Sequence, residues 1–234
     1  MSSRLYENQI THLLSVDCVT FGYENNELKL LLFERQMNPG KGQWSLIGGW
    51  VESNETVECA AERVLKKITG LHNIFQEQVG VFSDPNRDPG GRVVSVAFYA
   101  LIDIKSHNKE LLREFGASWW PISDLPSLIF DHPQMVSSAL QKLRNKASYD
   151  LVGRDLLPEE FTITQLRQLY NSLFLTTFDP GNFRKKILSL HAMERLDKKD
   201  SSESKKGAYY YRFLSPELID ISTRIIHLPL NTNT

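Results

Sequence analysis

Gly48-Gly49-Trp50-Val51-Glu52-Ser53-Asn54-Glu55-Thr56-Val57-Glu58-Cys59-Ala60-Ala61-Glu62-Arg63-Val64-Leu65-Lys66-Lys67-Ile68-Thr69-Gly70-Leu71 joins a glycine pair, a run with helical apolar spacing and a closing glycine. Val57, Ala60, Ala61, Val64, Leu65 and Ile68 recur at three- and four-residue spacing, which predicts a helix over Glu55–Ile68 with one apolar face. Gly70 stops it. Just upstream, Trp44-Ser45-Leu46-Ile47 reads as a short strand ending in Gly48-Gly49. A strand, a glycine turn and an amphipathic helix form the start of an α/β unit.

Upstream, the apolar runs Leu13–Phe21 and Leu28–Phe33 flank the polar turn Glu24-Asn25-Asn26-Glu27 and predict a β-hairpin. Strand patterns follow at Gln78–Phe82, Val93–Ile104 and Ala117–Trp120, with the turn-rich stretch Ser83–Arg92 between the first two. A further helix is expected from about His132-Pro133, where proline suits a first turn, to Leu143. Strands packed between two helices describe an α/β sandwich.

Length and composition set the outer limits. A chain of 234 residues with 41% hydrophobic and 24% charged residues is not disordered. It suffices for one large domain, or for two of about 150 and 80 residues. No apolar run approaches about 18 residues, so neither a membrane span nor a signal peptide is expected. Cys18 and Cys59 show no metal-ligand spacing and are expected to be reduced, buried thiols of a cytoplasmic protein. The six histidines stand in no triad context, which leaves nucleophilic catalysis without support.

The C-terminal third differs in character. Asn145–Pro158 reads as a linker, and beyond it Ile163, Leu166, Leu169, Tyr170, Leu173 and Phe174 carry helical spacing, with Thr162 or Thr164 as cap. After a break at Asp179-Pro180-Gly181, a second short helix is expected over Asn182–Leu190. There Phe183, Ile187 and Leu190 would face inward, and Asn182, Lys185, Lys186 and Ser189 outward, with Arg184 at the margin. Met193–Leu196 and Tyr209–Phe213 can pair as a hairpin around a basic loop, Asp197–Gly207. Between Asn182 and Arg212 stand nine basic residues, Arg184, Lys185, Lys186, Arg195, Lys198, Lys199, Lys205, Lys206 and Arg212. Glu194, Asp197, Asp200 and Glu203 oppose them, a local excess of five positive charges in a chain of formal net charge -1. Such a patch on a mildly acidic body points to a polyanion. A basic helix alone is more often a solvated face. With a preceding helix and a basic hairpin it becomes a winged helix-turn-helix, in which asparagine reads adenine, arginine or lysine reads guanine, and a lysine-rich wing holds phosphate.

Gly49, Glu55, Arg63, Leu65, Gly70 and Leu71 stand at the spacings of the Nudix box, Gly-x5-Glu-x7-Arg-Glu-U-x-Glu-Glu-x-Gly-U, where U is a bulky aliphatic. The chain resembles Nudix proteins over about residues 10–147. In that family three glutamates at i, i+3 and i+4 on one helix face hold Mg²⁺ beside a pyrophosphate. Here those places are Val64, Lys67 and Ile68, and none offers an oxygen ligand. At about 100° per residue, Glu55, Glu58 and Glu62 fall within roughly 60° of one another and lie nearly opposite Val64 and Ile68, so they do not replace the missing ligands. No metal, no cofactor and no catalytic residue is expected.

A box without its carboxylates, followed by a winged helix-turn-helix, resembles the Nudix-related transcriptional regulators. Leu156-Leu157-Pro158, Phe161-Thr162, Gln165-Leu166, Asn182–Lys186, Arg87-Asp88-Pro89 and Arg92–Val96 carry the likeness. It implies a Nudix-like effector-binding domain over 1–150 and a DNA-binding domain over 151–234. It also implies a homodimer that acts as repressor or activator on a palindromic double-stranded operator. Thr164, Gln165, Asn182, Arg184, Lys185, Lys186, Lys205 and Lys206 are the DNA-contact candidates. One branch of these regulators senses ADP-ribose and governs NAD metabolism; another senses pentoses such as L-arabinose. Phe130-Asp131-His132-Pro133 resembles the second, so a pentose effector and sugar-utilisation genes are the leading expectation and ADP-ribose the alternative, with a residual nucleotide hydrolase a more distant one. Glu34, Trp44, Arg87, Asp88 and Arg92 are the effector-contact candidates; against this, Trp44 reads equally as core and Arg87-Asp88 as turn-forming. Replacing Asn182 and Arg184 with alanine is expected to erode sequence preference. Replacing Lys205 and Lys206 is expected to weaken binding to all DNA alike and flatten its salt dependence, as measured by fluorescence anisotropy over a salt series.

Overall fold

A computed structural model describes residues 9–72, 74–104, 113–148, 151–201 and 207–215; Lys205 and Lys206 lie outside the described residues. The first apolar run opens β1 (Leu13–Glu24), which turns at Asn25-Asn26 into β2 (Glu27–Glu34). Both turn residues have positive φ, 54° and 62°. That is the two-residue hairpin loop whose twist matches the strands, and asparagine tolerates it. β3 (Trp44–Ser45) and β4 (Ile47–Trp50) follow. The glycine pair does not end the strand as expected. β4 carries Gly48 and Gly49 against Asp17 and Val16 of β1. A Cβ on Gly48 would stand 2.5 Å from Asp17 Oδ1, and one on Gly49 would stand 2.8 Å from Val64 Cγ2. Close approach, not a turn, requires the two glycines.

The decisive helix is α1 (Val57–Thr69), capped by the Thr56 side chain and closed by Gly70 at φ 73°. Glu55 therefore precedes the helix and does not share a helical face with Glu58 and Glu62. β5 (Phe75–Phe82), β6 (Val93–Ile102), β7 (Ala117–Pro121) and α2 (His132–Ala147) complete the unit. The sheet runs β3-β2-β1-β6-β5, with β4 also paired to β1 and β7 to β2. β1 and β6 are parallel over ten residue pairs, and the other pairings are antiparallel. Alternation along β1 and β6 sends Val16, Cys18, Val96 and Phe98 to α1, and Val19, Phe21, Ala97 and Tyr99 to α2. β6 is buried along nearly its whole length, as a strand covered on both faces must be. The result is the expected α/β/α sandwich. Cys18 is buried but Cys59 is exposed, because it falls on the outer face of the first turn of α1.

The C-terminal unit is built from β8 (Phe161–Thr162), α3 (Ile163–Phe174), α4 (Pro180–Leu188), β9 (Met193–Asp200) and β10 (Ala208–Phe213), with strand order β8-β10-β9. A capping box between Thr162 and Gln165 starts α3. α4 begins two residues earlier than predicted: Asp179 caps it and Pro180 occupies its first turn, so the apparent break is a start signal. The hairpin is also longer than predicted, because β9 continues to Asp200 and places Lys198 and Lys199 on a strand. Nor is Asn145–Pro158 a free linker. α2 runs to Ala147, and Leu151, Val152, Leu156 and Leu157 are buried in one hydrophobic cluster with Met135, Leu143, Leu166 and Tyr170. Leu143→Ala, in that shared cluster, is expected to lower stability by about 2–5 kcal/mol, as read from the urea midpoint.

Candidate functional site

Two features stand apart from the core, a cavity in the sandwich and an exposed helix face beyond it. The cavity has a volume of about 420 Å³ and opens where β1, β4, the Arg87-Asp88 turn and the start of α2 meet. Such a size holds a small organic ligand. Asp17, Arg87 and His132 line its floor, and Phe33, Arg35, Lys67, Phe115 and Phe130 line its walls. Arg87 is only 7% exposed. Its Nε and Nη2 each donate to Asp131 at 2.8 Å, and Nη2 lies 3.6 Å from Asp17 Oδ2. Ser95 Oγ donates to Asp17 Oδ2 at 2.6 Å. His132 Nδ1 accepts the Leu46 backbone N–H at 3.1 Å. Phe130, just before this cluster, sits at φ 51°, a strained conformation for an aromatic residue, with the Arg35 guanidinium 5.6 Å from its ring centre.

Burial lowers the His132 pKa from its ordinary value of 6.5, partly opposed by Asp17 and Asp131, so the ring is neutral near pH 7. Glu55, by contrast, accepts two hydrogen bonds from Arg63, which hold its pKa down at about 2. Arg63 Nη2 also donates to Trp50 O at 2.9 Å. This pair braces the loop before α1.

The predicted effector contacts divide. Arg87 and Asp88 line the cavity. Asp88 also shapes its turn, its Oδ1 accepting from Gly90 N at 2.7 Å. Glu34, Trp44 and Arg92 are not among the lining residues. Trp44 packs edge-on to Trp120 at 5.2 Å, as core, and Arg92 donates to Ser83 O at 2.9 Å. Glu34 is exposed at the end of β2, opposite Trp44. Asp17 and His132 were missed. A signal existed, since Asp17 is an acid flanked by the apolar residues Val16, Cys18 and Val19 of a buried strand.

On α4, Phe183 and Ile187 are buried, and Asn182, Arg184, Lys185 and Lys186 are exposed. Arg184 Nη2 reaches Tyr211 Oη at 3.3 Å. Thr164 and Gln165 are half-buried at the start of α3, where the Gln165 side-chain oxygen accepts from Thr162 N at 2.8 Å. Lys198 pairs with Glu160, and Arg212 with Glu194 and Glu159. Among the described residues Lys185 and Lys186 have no acidic partner.

The NUDIX domain family model matches residues 11–139, and the model of the NrtR DNA-binding winged helix domain matches residues 153–213. The chain belongs to the Nudix family. It carries an NrtR-type winged helix after the Nudix domain. An ADPR responsive transcriptional repressor, NtrR, of Acinetobacter baylyi is 29% identical over 205 residues, covering 86% of this chain and 82% of the relative. Shewanella oneidensis NrtR, in crystals with a 27mer DNA, superposes with a TM-score of 0.77 at 28% identity, covering 86% of this chain and 93% of that one. An ADP-ribose pyrophosphatase of Methanocaldococcus jannaschii is 36% identical over 123 residues, 51% of this chain and 70% of the enzyme.

The magnesium ion that the Nudix family implies does not fit this box. Val64 and Ile68 are 6% and 8% exposed within the apolar cluster under α1, and the Val64 methyls fill the space facing Gly49. Lys67 Nζ lies 5.6 Å from the Phe115 ring centre, placing an ammonium where a cation would be needed. Glu55 is committed to Arg63. Among the described residues no group of three or more His, Cys, Asp or Glu is placed to hold a metal.

Unfolding stability is expected to fall as pH drops below 6.5, because the unfolded chain takes up a proton that the buried His132 ring refuses. His132→Gln should remove that part of the slope, as read from urea unfolding on either side of that pH.

Proposed function

We propose that the chain is a DNA-binding transcriptional regulator whose Nudix domain senses ADP-ribose, without cleaving it, and whose winged helix binds the operator. One observation carries this reading. A ligand-sized cavity beside a Nudix box that carries Val64, Lys67 and Ile68 at its metal positions is joined through one hydrophobic core to a helix that exposes Asn182, Arg184, Lys185 and Lys186. The first feature favours holding a ligand over hydrolysing it, and the second suits the major groove. The choice of effector departs from the sequence expectation. L-arabinose led there, but of the relatives above one is named as ADPR responsive and another as an ADP-ribose pyrophosphatase, which favours the alternative. The cavity agrees chemically: Arg35 and Lys67 provide positive charge for a diphosphate, and Phe33, Phe115 and Phe130 provide aromatic faces.

DNA contacts are assigned to Asn182, Arg184, Lys185 and Lys186 on α4 and to Thr164 and Gln165 at the start of α3, with Lys205 and Lys206 in the wing. Residues 1–150 are assigned to the sensor and 151–234 to the DNA-binding domain. Two copies paired through their sensors would set two α4 helices about 34 Å apart, one DNA turn. Among the described residues no helix is long and apolar enough to cross a membrane, which is compatible with a cytoplasmic regulator.

α2 supplies the coupling. His132 at its start lines the cavity and Asp131 just before it holds the lining Arg87, and near its end Arg144 Nε donates to the Leu173 carbonyl of α3 at 2.7 Å. Sixteen helical residues span about 24 Å, so a tilt at the floor moves the winged helix as a lever. ADP-ribose titrated into the operator complex is expected to change DNA affinity by a factor in the 5–150 range of allosteric couplings, and L-arabinose is not. Arg144→Gln should bind ADP-ribose as the wild type does while losing most of that change. Absence of any shift with either ligand defeats the sensing proposal. Chelator-sensitive release of AMP from ADP-ribose would support a residual hydrolase instead.

A further inference from the structure

The cavity floor holds an acceptor and a donor that face each other without meeting. Asp17 uses Oδ2 for Ser95 and Arg87. Its Oδ1 accepts no hydrogen bond from any described residue, although the side chain lines the cavity. His132 is 3% exposed and accepts the Leu46 N–H on Nδ1, so a neutral ring carries its proton on Nε2. That nitrogen lies 3.7 Å from Asp17 Oδ1, beyond hydrogen-bond reach.

An atom that donates and accepts at once can bridge such a gap. A hydroxyl does so, donating to Asp17 Oδ1 and accepting from His132 Nε2–H. A phosphate oxygen does not, because it only accepts. Charge points the same way. Around Arg87 and His132 the acids Asp17, Asp88 and Asp131 outnumber the cations Arg87 and Arg35, which leaves the floor negative and disfavours phosphate. Arg35 and Lys67 are the cations that line the rest of the cavity.

We propose that Asp17 and His132 form a hydroxyl-recognition site that takes a sugar hydroxyl at the floor of the cavity. The assignment rests on the sensor reading above and gives the ligand a direction, with its sugar end down and its phosphates toward Arg35 and Lys67. Two sources share this chemistry, the terminal ribose of ADP-ribose and a free pentose.

Titration calorimetry with ADP-ribose, ADP, D-ribose and L-arabinose separates them. ADP lacks the terminal ribose and serves as the internal control. Asp17→Asn is expected to weaken ADP-ribose about 10- to 100-fold, the range for a hydrogen bond to a charged group, and ADP by no more than about twofold. Ser95→Ala keeps the carboxylate but frees it, and should weaken ADP-ribose selectively by a smaller factor. It decides the matter if circular dichroism shows that Asp17→Asn does not fold. Equal losses for both nucleotides, or no loss for ADP-ribose, overturn the site. If the wild type binds a free pentose and neither nucleotide, and Asp17→Asn abolishes that binding, the hydroxyl site stands and the ADP-ribose reading falls. If none of the four ligands binds, both fall.

Discussion

The bidentate pair between Arg87 and Asp131 is the interaction on which the sensor half depends. It ties the turn after β5 to the first residue before α2, two segments 44 positions apart in the chain. Without it the cavity would have no floor on that side, and Asp17 would lose its neighbouring cation. A buried ion pair contributes little net stability, because desolvation offsets most of the attraction; breaking it by removing one partner is far more damaging. What it supplies is position. It sets Arg87 beside Asp17 under a ligand-sized space, and it fixes the start of the helix whose other end bonds to α3.

Charge is divided in the same economical way across the molecule. In the sensor, positive side chains stand on the cavity walls while the floor stays negative. In the winged helix, several cations are already matched: Lys198 by Glu160, and Arg212 by Glu194 and Glu159. Arg195 and Lys199 both lie 4.5 Å from the ring centre of Tyr209. Among the described residues, the cations without an acidic or aromatic partner in this unit include Lys185 and Lys186 of α4.

Local signals made most of the architecture legible. Asn25-Asn26 announces a hairpin turn, Gly70 a helix end, and the Phe183/Ile187 spacing a helix with one buried side, and each is found there. The errors came where long-range contacts decide. Trp44 read either as an effector contact or as core, and its partner is Trp120, far along the chain. Glu55 looked helical, but its carboxylate serves Arg63 from outside the helix. Asp17 and His132 lie 115 residues apart and meet only because β1 and the start of α2 share one face of the sheet. No periodicity announces such a meeting. An acid flanked by apolar residues of a buried strand was the available hint.

The contact between Val64 and the box glycine has an evolutionary corollary. A lone Val64→Glu change would bury a carboxylate among Ala60, Ala61, Leu65 and Phe98 before any ion could neutralise it. Burying an unpaired charge is strongly unfavourable, and the ammonium of Lys67 and the aliphatic Ile68 would offer no metal to compensate. Val64→Glu or Ile68→Glu alone thus passes through a less stable protein, whereas Lys67 is exposed and its replacement buries nothing. The packing beneath α1 guards positions 64 and 68 against the carboxylates that a cation would need there.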